Sequence, residues 1–222
     1  MITRRKIAML VAEFLGTGIL TLVILAVSKS AMGYPYFVAI GAGLAAAMAV
    51  LVLGGVSGAH LNPIVTLGMW SVRKVKTIPA IAYLAAQFLG GIAAYYLFTY
   101  MIGQTFPATT ADFEAKTLVA EAVGALIFSM GWAAVVYHRL DGAKAAGVIA
   151  ISLILGMMVA AAGLGGLVNP AVALGAHSWV WGTFVLGPVL GAIIGFNLYG
   201  LLFAPVKELI ASVDDKPVKA KK

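Results

Sequence analysis

Charged residues fall in short clusters separated by long uncharged stretches. Asp, Glu, Lys and Arg are absent from 14–28, 30–72, 77–111, 122–138 and 145–206, runs of 15, 43, 35, 17 and 62 residues. A helix crossing the hydrocarbon core of a bilayer takes about 20 residues, so the two longest runs each hold more than one segment. The pattern predicts spans near 7–28, 36–56, 78–101, 117–137, 144–163 and 181–203. Two apolar stretches, near 60–72 and 167–178, are left over, and each carries Asn-Pro near its start. At about half a span each, they predict re-entrant half-helices at 62–71 and 169–178. The fold class is therefore an all-α membrane protein with six transmembrane helices plus two half-helices. Arg4, Arg5 and Lys6 precede the first apolar run as in a signal peptide, but Glu13 interrupts it, and the segment reads as a retained span.

Composition agrees. The 222 residues are 62% hydrophobic and 10% charged, against about 25% charged in soluble domains. That excludes a cytosolic enzyme, a secreted scaffold and a nucleic-acid binder. The net charge of +7 reports topology. With six spans, 13 of the 15 Lys and Arg fall on the side of the termini, and only Lys29 and Lys116 on the other. By the positive-inside rule both termini are cytoplasmic in a multi-pass cell-membrane protein. The absence of cysteine rules out disulfides and thiolate metal sites.

The chain also repeats. Ala12-Glu13 with Gly16 recurs as Ala120-Glu121 with Gly124, an offset of 108, and Asn62-Pro63 recurs as Asn169-Pro170, an offset of 107. Leu89-Gly90 with Ile92 recurs as Leu190-Gly191 with Ile193, an offset of 101. Three spans per unit is an odd number, so the second unit enters from the opposite face. Such inverted repeats place the functional site near the midplane. The units are 1–110 and 111–206, with a cytoplasmic tail at 207–222.

The Asn-Pro pairs suit half-helix starts. Asn caps a helix with its side-chain oxygen, and Pro fits the first helical position. Irregular backbone before each survives at membrane depth only inside protein or against a watery cavity. Two such N-termini meeting at the midplane, each carrying roughly half a positive charge, suit a narrow pore for neutral hydrogen-bonding solutes that repels cations. Glu13 and Glu121 lie inside spans, where a carboxylate is costly. Either they relay protons, or they accept hydrogen bonds from unwound backbone; one acid per repeat favours the second. Small residues at four-residue spacing, among them Gly187, Gly191 and Gly195, predict close helix approach. His60, His138 and His177 lack metal-ligand spacing. His138 and His177 read as solvated, while His60 lines a pore mouth or packs in a loop. No catalytic set, metal site or cofactor motif is expected.

These motifs resemble the aquaporin and aquaglyceroporin (major intrinsic protein) family. Its paired Asn-Pro-Ala boxes match as Asn169-Pro170-Ala171 and, with one change, Asn62-Pro63-Ile64; Ala12–Thr17, Ser57–Leu61 and Gln87–Gly91 resemble its other signatures. The resemblance implies a passive channel for water or small uncharged solutes such as glycerol or urea, set in lipid as a homotetramer. His60 would line the cytoplasmic pore mouth, and Glu13 and Glu121 would support the loops. It also places the selectivity filter at Ala42, Met157, Gly166 and Val172, where Val172 stands in place of the usual Arg. Without that charge the filter should be apolar and wide, unless another side chain fills it. The alternatives are a gated or proton-coupled transporter using Glu13 or Glu121, and a non-conducting membrane scaffold.

Overall fold

A computed structural model describes residues 3–30, 33–105, 112–163 and 165–205. The tail at 207–222 and the junction between repeats lie outside the described residues. The helices are α1 (Arg4–Lys29), α2 (Pro35–Ser57), α3 (Pro63–Ser71), α4 (Thr77–Ile102), α5 (Ala115–Tyr137), α6 (Gly142–Ala161), α7 (Pro170–Gly175) and α8 (Gly187–Leu202). A π-helical turn at Gly182–Leu186 leads into α8, and together they make a span of 21 residues. Six helices are long and apolar enough to cross a membrane, at the places the hydropathy pattern predicts. The half-helices are 9 and 6 residues long, the second shorter than expected from sequence.

Packing follows the repeat. α1 lies against α2 and α4, as α5 lies against α6 and α8; α3 packs on α8, as α7 packs on α4. Exchanging α1–α4 with α5–α8 leaves this set of neighbours unchanged, as expected of two like units, and α2 against α6 closes the bundle. Large apolar side chains such as Leu44, Leu51, Ile78 and Leu201 stay exposed on the outside, where lipid is the solvent. The buried interior is rich in alanine.

Close approach explains the small residues. Methyl groups at Gly187, Gly191 and Gly195 of α8 would run into the carbonyl oxygens of Leu118, Ala122 and Leu126 on α5. Both series step by four, so one glycine face of α8 lies directly on the α5 backbone. Gly90 meets the Phe14 carbonyl at the corresponding α1–α4 contact. In lipid, where tails are as apolar as leucine, such backbone proximity is a main source of helix association.

Candidate functional site: two half-helices joined end to end

The two half-helices start against one another. Asn62 precedes α3 with extended backbone, and its Oδ1 accepts from the Ile64 N–H at 3.0 Å. Asn169 does the same for α7, accepting from Ala171 at 3.0 Å and Val172 at 3.3 Å. With the oxygen held by its own helix, each amide turns its nitrogen to the opposite loop. Asn62 Nδ2 donates to the Val168 carbonyl at 2.8 Å, and Asn169 Nδ2 donates to the Leu61 carbonyl at 3.0 Å. An NH₂ group carries two donors, so one N–H of each Asn joins the loops and the other takes no part in that junction. From this junction the helices diverge. Ser71 at the end of α3 accepts from Asn197 near the far end of α8, whereas α7 reaches the π-helical turn at its beginning.

The loops feeding these helices are held in conformations that side chains disfavour. Ala59 (φ 51°), Leu61 (φ 53°) and Val168 (φ 49°) all lie in the left-handed region, uncommon for non-glycine residues and least favourable for a β-branched one. The carboxylates hold them there. Glu13 Oε1 accepts from Ser57 Oγ at 2.7 Å and the His60 N–H at 3.0 Å; Oε2 accepts from the Leu61 N–H and Gln87 Nε2, both at 2.8 Å. Glu121 Oε1 accepts from the Gly166 and Leu167 N–H groups at 2.6 and 3.0 Å, and Oε2 from Val168 at 2.9 Å. Both acids are 0% exposed. Each binds the three or four donors that water would otherwise have to satisfy, beside the positive end of a half-helix.

His60 belongs to the first of these networks. Its Nδ1 lies 3.1 Å from Thr66 Oγ1, which also accepts from Gln87 Nε2 at 2.9 Å. Thr66 Oγ1 has both a proton to give and a second lone pair, so this contact accommodates either imidazole tautomer. Tyr83 braces the same loop, its hydroxyl donating to the Ser57 carbonyl at 2.8 Å. His138 is exposed, with Nε2 3.0 Å from the Tyr199 hydroxyl. His177 is half-buried and stacks on Tyr95, ring centroids 3.7 Å apart. The three histidines stand in separate environments, and no group of His, Asp or Glu that could hold a metal occurs among the described residues.

Of the four positions expected in the filter, Ala42, Met157 and Val172 share one apolar cluster at 0, 2 and 0% exposure. Gly166 is half-buried with φ 112°, and a methyl group on it would meet Ala161 of α6. Its contribution is backbone: its N–H is the shortest bond to Glu121.

A profile described as major intrinsic protein matches residues 2–199. The chain belongs to that family. Major intrinsic proteins are channels, so this is a multi-pass membrane channel of the aquaporin and glycerol-facilitator kind, and not an enzyme. Aquaporin Z from Photorhabdus laumondii is 30% identical, the match covering 90% of this chain and 98% of that one. The glycerol uptake facilitator protein-like 6 of Lactiplantibacillus plantarum is 31% identical over 82% of this chain and 92% of its own. Among solved structures, the aquaglyceroporin from Plasmodium falciparum superposes with a TM-score of 0.63 at 20% identity, covering 91% of this chain and 99% of that chain. That likeness shows the fold.

In this major intrinsic protein, sequence reasoning found the acids and the Asn-Pro pairs but not their partners. Gln87, quoted only as part of a signature, links Glu13 to Thr66 and so to His60. An amide inside an uncharged span was the available signal, since a polar group at that depth needs partners. Ser57 and Tyr83 gave no comparable signal.

Proposed function

We propose that the chain is a passive pore for water and small uncharged solutes, with the path running past Asn62 and Asn169. The observation that carries this reading is the reciprocal junction, in which each Asn amide keeps one N–H beyond the bond it gives the opposite loop. Two donors at the ends of two helix dipoles favour a permeant with acceptor oxygens and disfavour cations and protons. Glu13 and Glu121 act as braces, because loop donors occupy both oxygens of each. The termini are cytoplasmic, as the basic residues suggest, and assembly as a homotetramer, implied by the family resemblance, is part of the proposal.

Taking Ala42, Met157 and Val172 as the filter level, their near-complete burial in one apolar cluster supports a ring that is apolar and tight. Met157, the largest of the three and almost wholly buried, is the side chain that would fill the space left by the missing Arg. An apolar constriction of this kind resists wetting. Met157→Ala should therefore raise glycerol permeability relative to water by about tenfold, given the discrimination that one or two methylenes provide in an apolar site. An unchanged ratio in folded protein would remove Met157 from the permeation path.

The test of the function itself is stopped-flow volume change of proteoliposomes under water, glycerol and urea gradients. Permeability to at least one of the three above empty liposomes is the expected result. Folded protein giving none would overturn the reading.

A further inference from the structure

Beyond the Asn boxes, on the side where α3 emerges, the structure contains a small, partly open space. Moving along α2 from Ala42 to Ala46 and Val50, and along α6 from Met157 to Leu153 and Ile149, leads from the filter level into a cavity of about 10 Å³. That is space for about one water. Its walls include His60, Asn62, Phe128 and Trp132.

Trp132 is the unexplained member. It is 5% exposed, on α5, with its ring edge-on to His60 at a centroid distance of 5.8 Å. Its Nε1–H finds no acceptor among the described residues. A buried indole N–H normally has a partner, and Trp132 is one of the residues that line this cavity. Packing alone does not call for an indole at this level. The residue 108 earlier, at the equivalent place in the first repeat, is Ile24, also buried and without a polar atom. The N–H thus belongs to one half of the channel and is not demanded by the shared scaffold.

We propose that Trp132 is a second selectivity element, which donates to the acceptor oxygen of a permeant in this one-water space next to Asn62. The polar readout that the outer ring lacks is supplied here, deeper in the pore, by an uncharged donor. The indole, together with Phe128, Leu153 and Leu20, also sets the cross-section. The site takes a water molecule, or one oxygen of a small neutral solute passing in single file. It requires that the chain conduct, so it rests on the reading above.

Two substitutions separate the donor from the bulk. Trp132→Phe keeps an aromatic ring and removes the N–H; water permeability per folded channel should fall roughly 2–10-fold, the worth of one net hydrogen bond. Trp132→Ala removes the ring as well, and should raise the glycerol-to-water permeability ratio by about tenfold or more. A residue that only packs the core would lower the amount of folded protein and leave permeability per channel and the ratio unchanged. If the unsubstituted channel conducts and both folded variants keep its water permeability and solute ratio, the Trp132 proposal is overturned while the channel reading stands. If the unsubstituted channel itself conducts nothing, the channel reading fails, and this proposal fails with it.

Should the variants not fold, a chain in which Trp70, Trp179 and Trp181 are Phe leaves one indole N–H resonance to observe by NMR. Magnetisation transfer between that proton and water is expected. A slowly exchanging indole proton with no such transfer would overturn the proposal.

Discussion

Glu121→Ala is expected to abolish conduction, because the loop before α7 would no longer hold its shape. The substitution leaves the N–H groups of Gly166, Leu167 and Val168 without their acceptor, at a place where Val168 is fully buried and the other two are half-buried. Each orphaned donor costs about 1–3 kcal/mol, so the three together cost on the order of 3–9 kcal/mol, a large share of the roughly 5–15 kcal/mol that holds a typical folded protein together. The strained Val168 would relax, and its carbonyl would leave Asn62. Glu13→Ala should act in the same way on Ser57, His60, Leu61 and Gln87. Thermal unfolding in detergent and flux per folded channel are the measurements. Glu121→Gln sharpens the test, because it keeps one acceptor oxygen but turns an NH₂ towards N–H donors. The brace reading expects it to lower thermal stability. A proton-relay role expects stability to persist while flux loses a dependence on the proton gradient, and that result would reverse the assignment.

The second large effect is expected at the Asn pair. Asn169→Ala removes the cap on α7, worth about 0.5–2 kcal/mol, and orphans the Leu61 carbonyl, worth about 1–3 kcal/mol. It also removes the N–H that is proposed to meet the solute. Water flux per folded channel should fall by about tenfold or more, the kinetic equivalent of 1.4 kcal/mol, and stability should fall with it. Asn62→Ala should behave alike, since it caps Ile64 and holds Val168. Both cross-bonds hold the same two loops together, so the double variant should lose less stability than the sum of the single losses. Strict additivity would mean that the loops are held apart from one another, each by its own acid alone.

Much of the fold was legible because lipid imposes a strict rule: apolar runs of sufficient length become helices, and leftover half-runs need a special explanation. The six spans fall within a few residues of their expected places, the last one apart from its π-helical start. Glu13 and Glu121 stood out because a carboxylate in a span is rare, and the repeat offset tied them to one role. The rest was hidden because it depends on backbone and on distant partners. Nothing at Ala59, Leu61 or Val168 announces a left-handed conformation, which these residues adopt because Glu13 and Glu121 bind neighbouring N–H groups. The direction of each Asn amide follows from its cap, which leaves only the nitrogen to face the other loop. That Met157 lies 2% exposed in the same apolar cluster as Ala42 and Val172 was not readable from residue types alone. Nothing in the sequence marks Trp132 within α5; its unpartnered nitrogen and its place in the wall of a cavity set it apart.

The central claim is passive conduction of neutral solute, and the most direct test compares two initial rates on the same proteoliposomes. Shrinkage or solute entry is measured at equal pH on both sides, and again with an imposed pH gradient, alongside a proton-sensitive dye in the lumen. Downhill flux above empty liposomes, equal in the two conditions and without protein-dependent proton entry, is the predicted result. Flux that appears only with the gradient, or that carries protons with it, would contradict the claim.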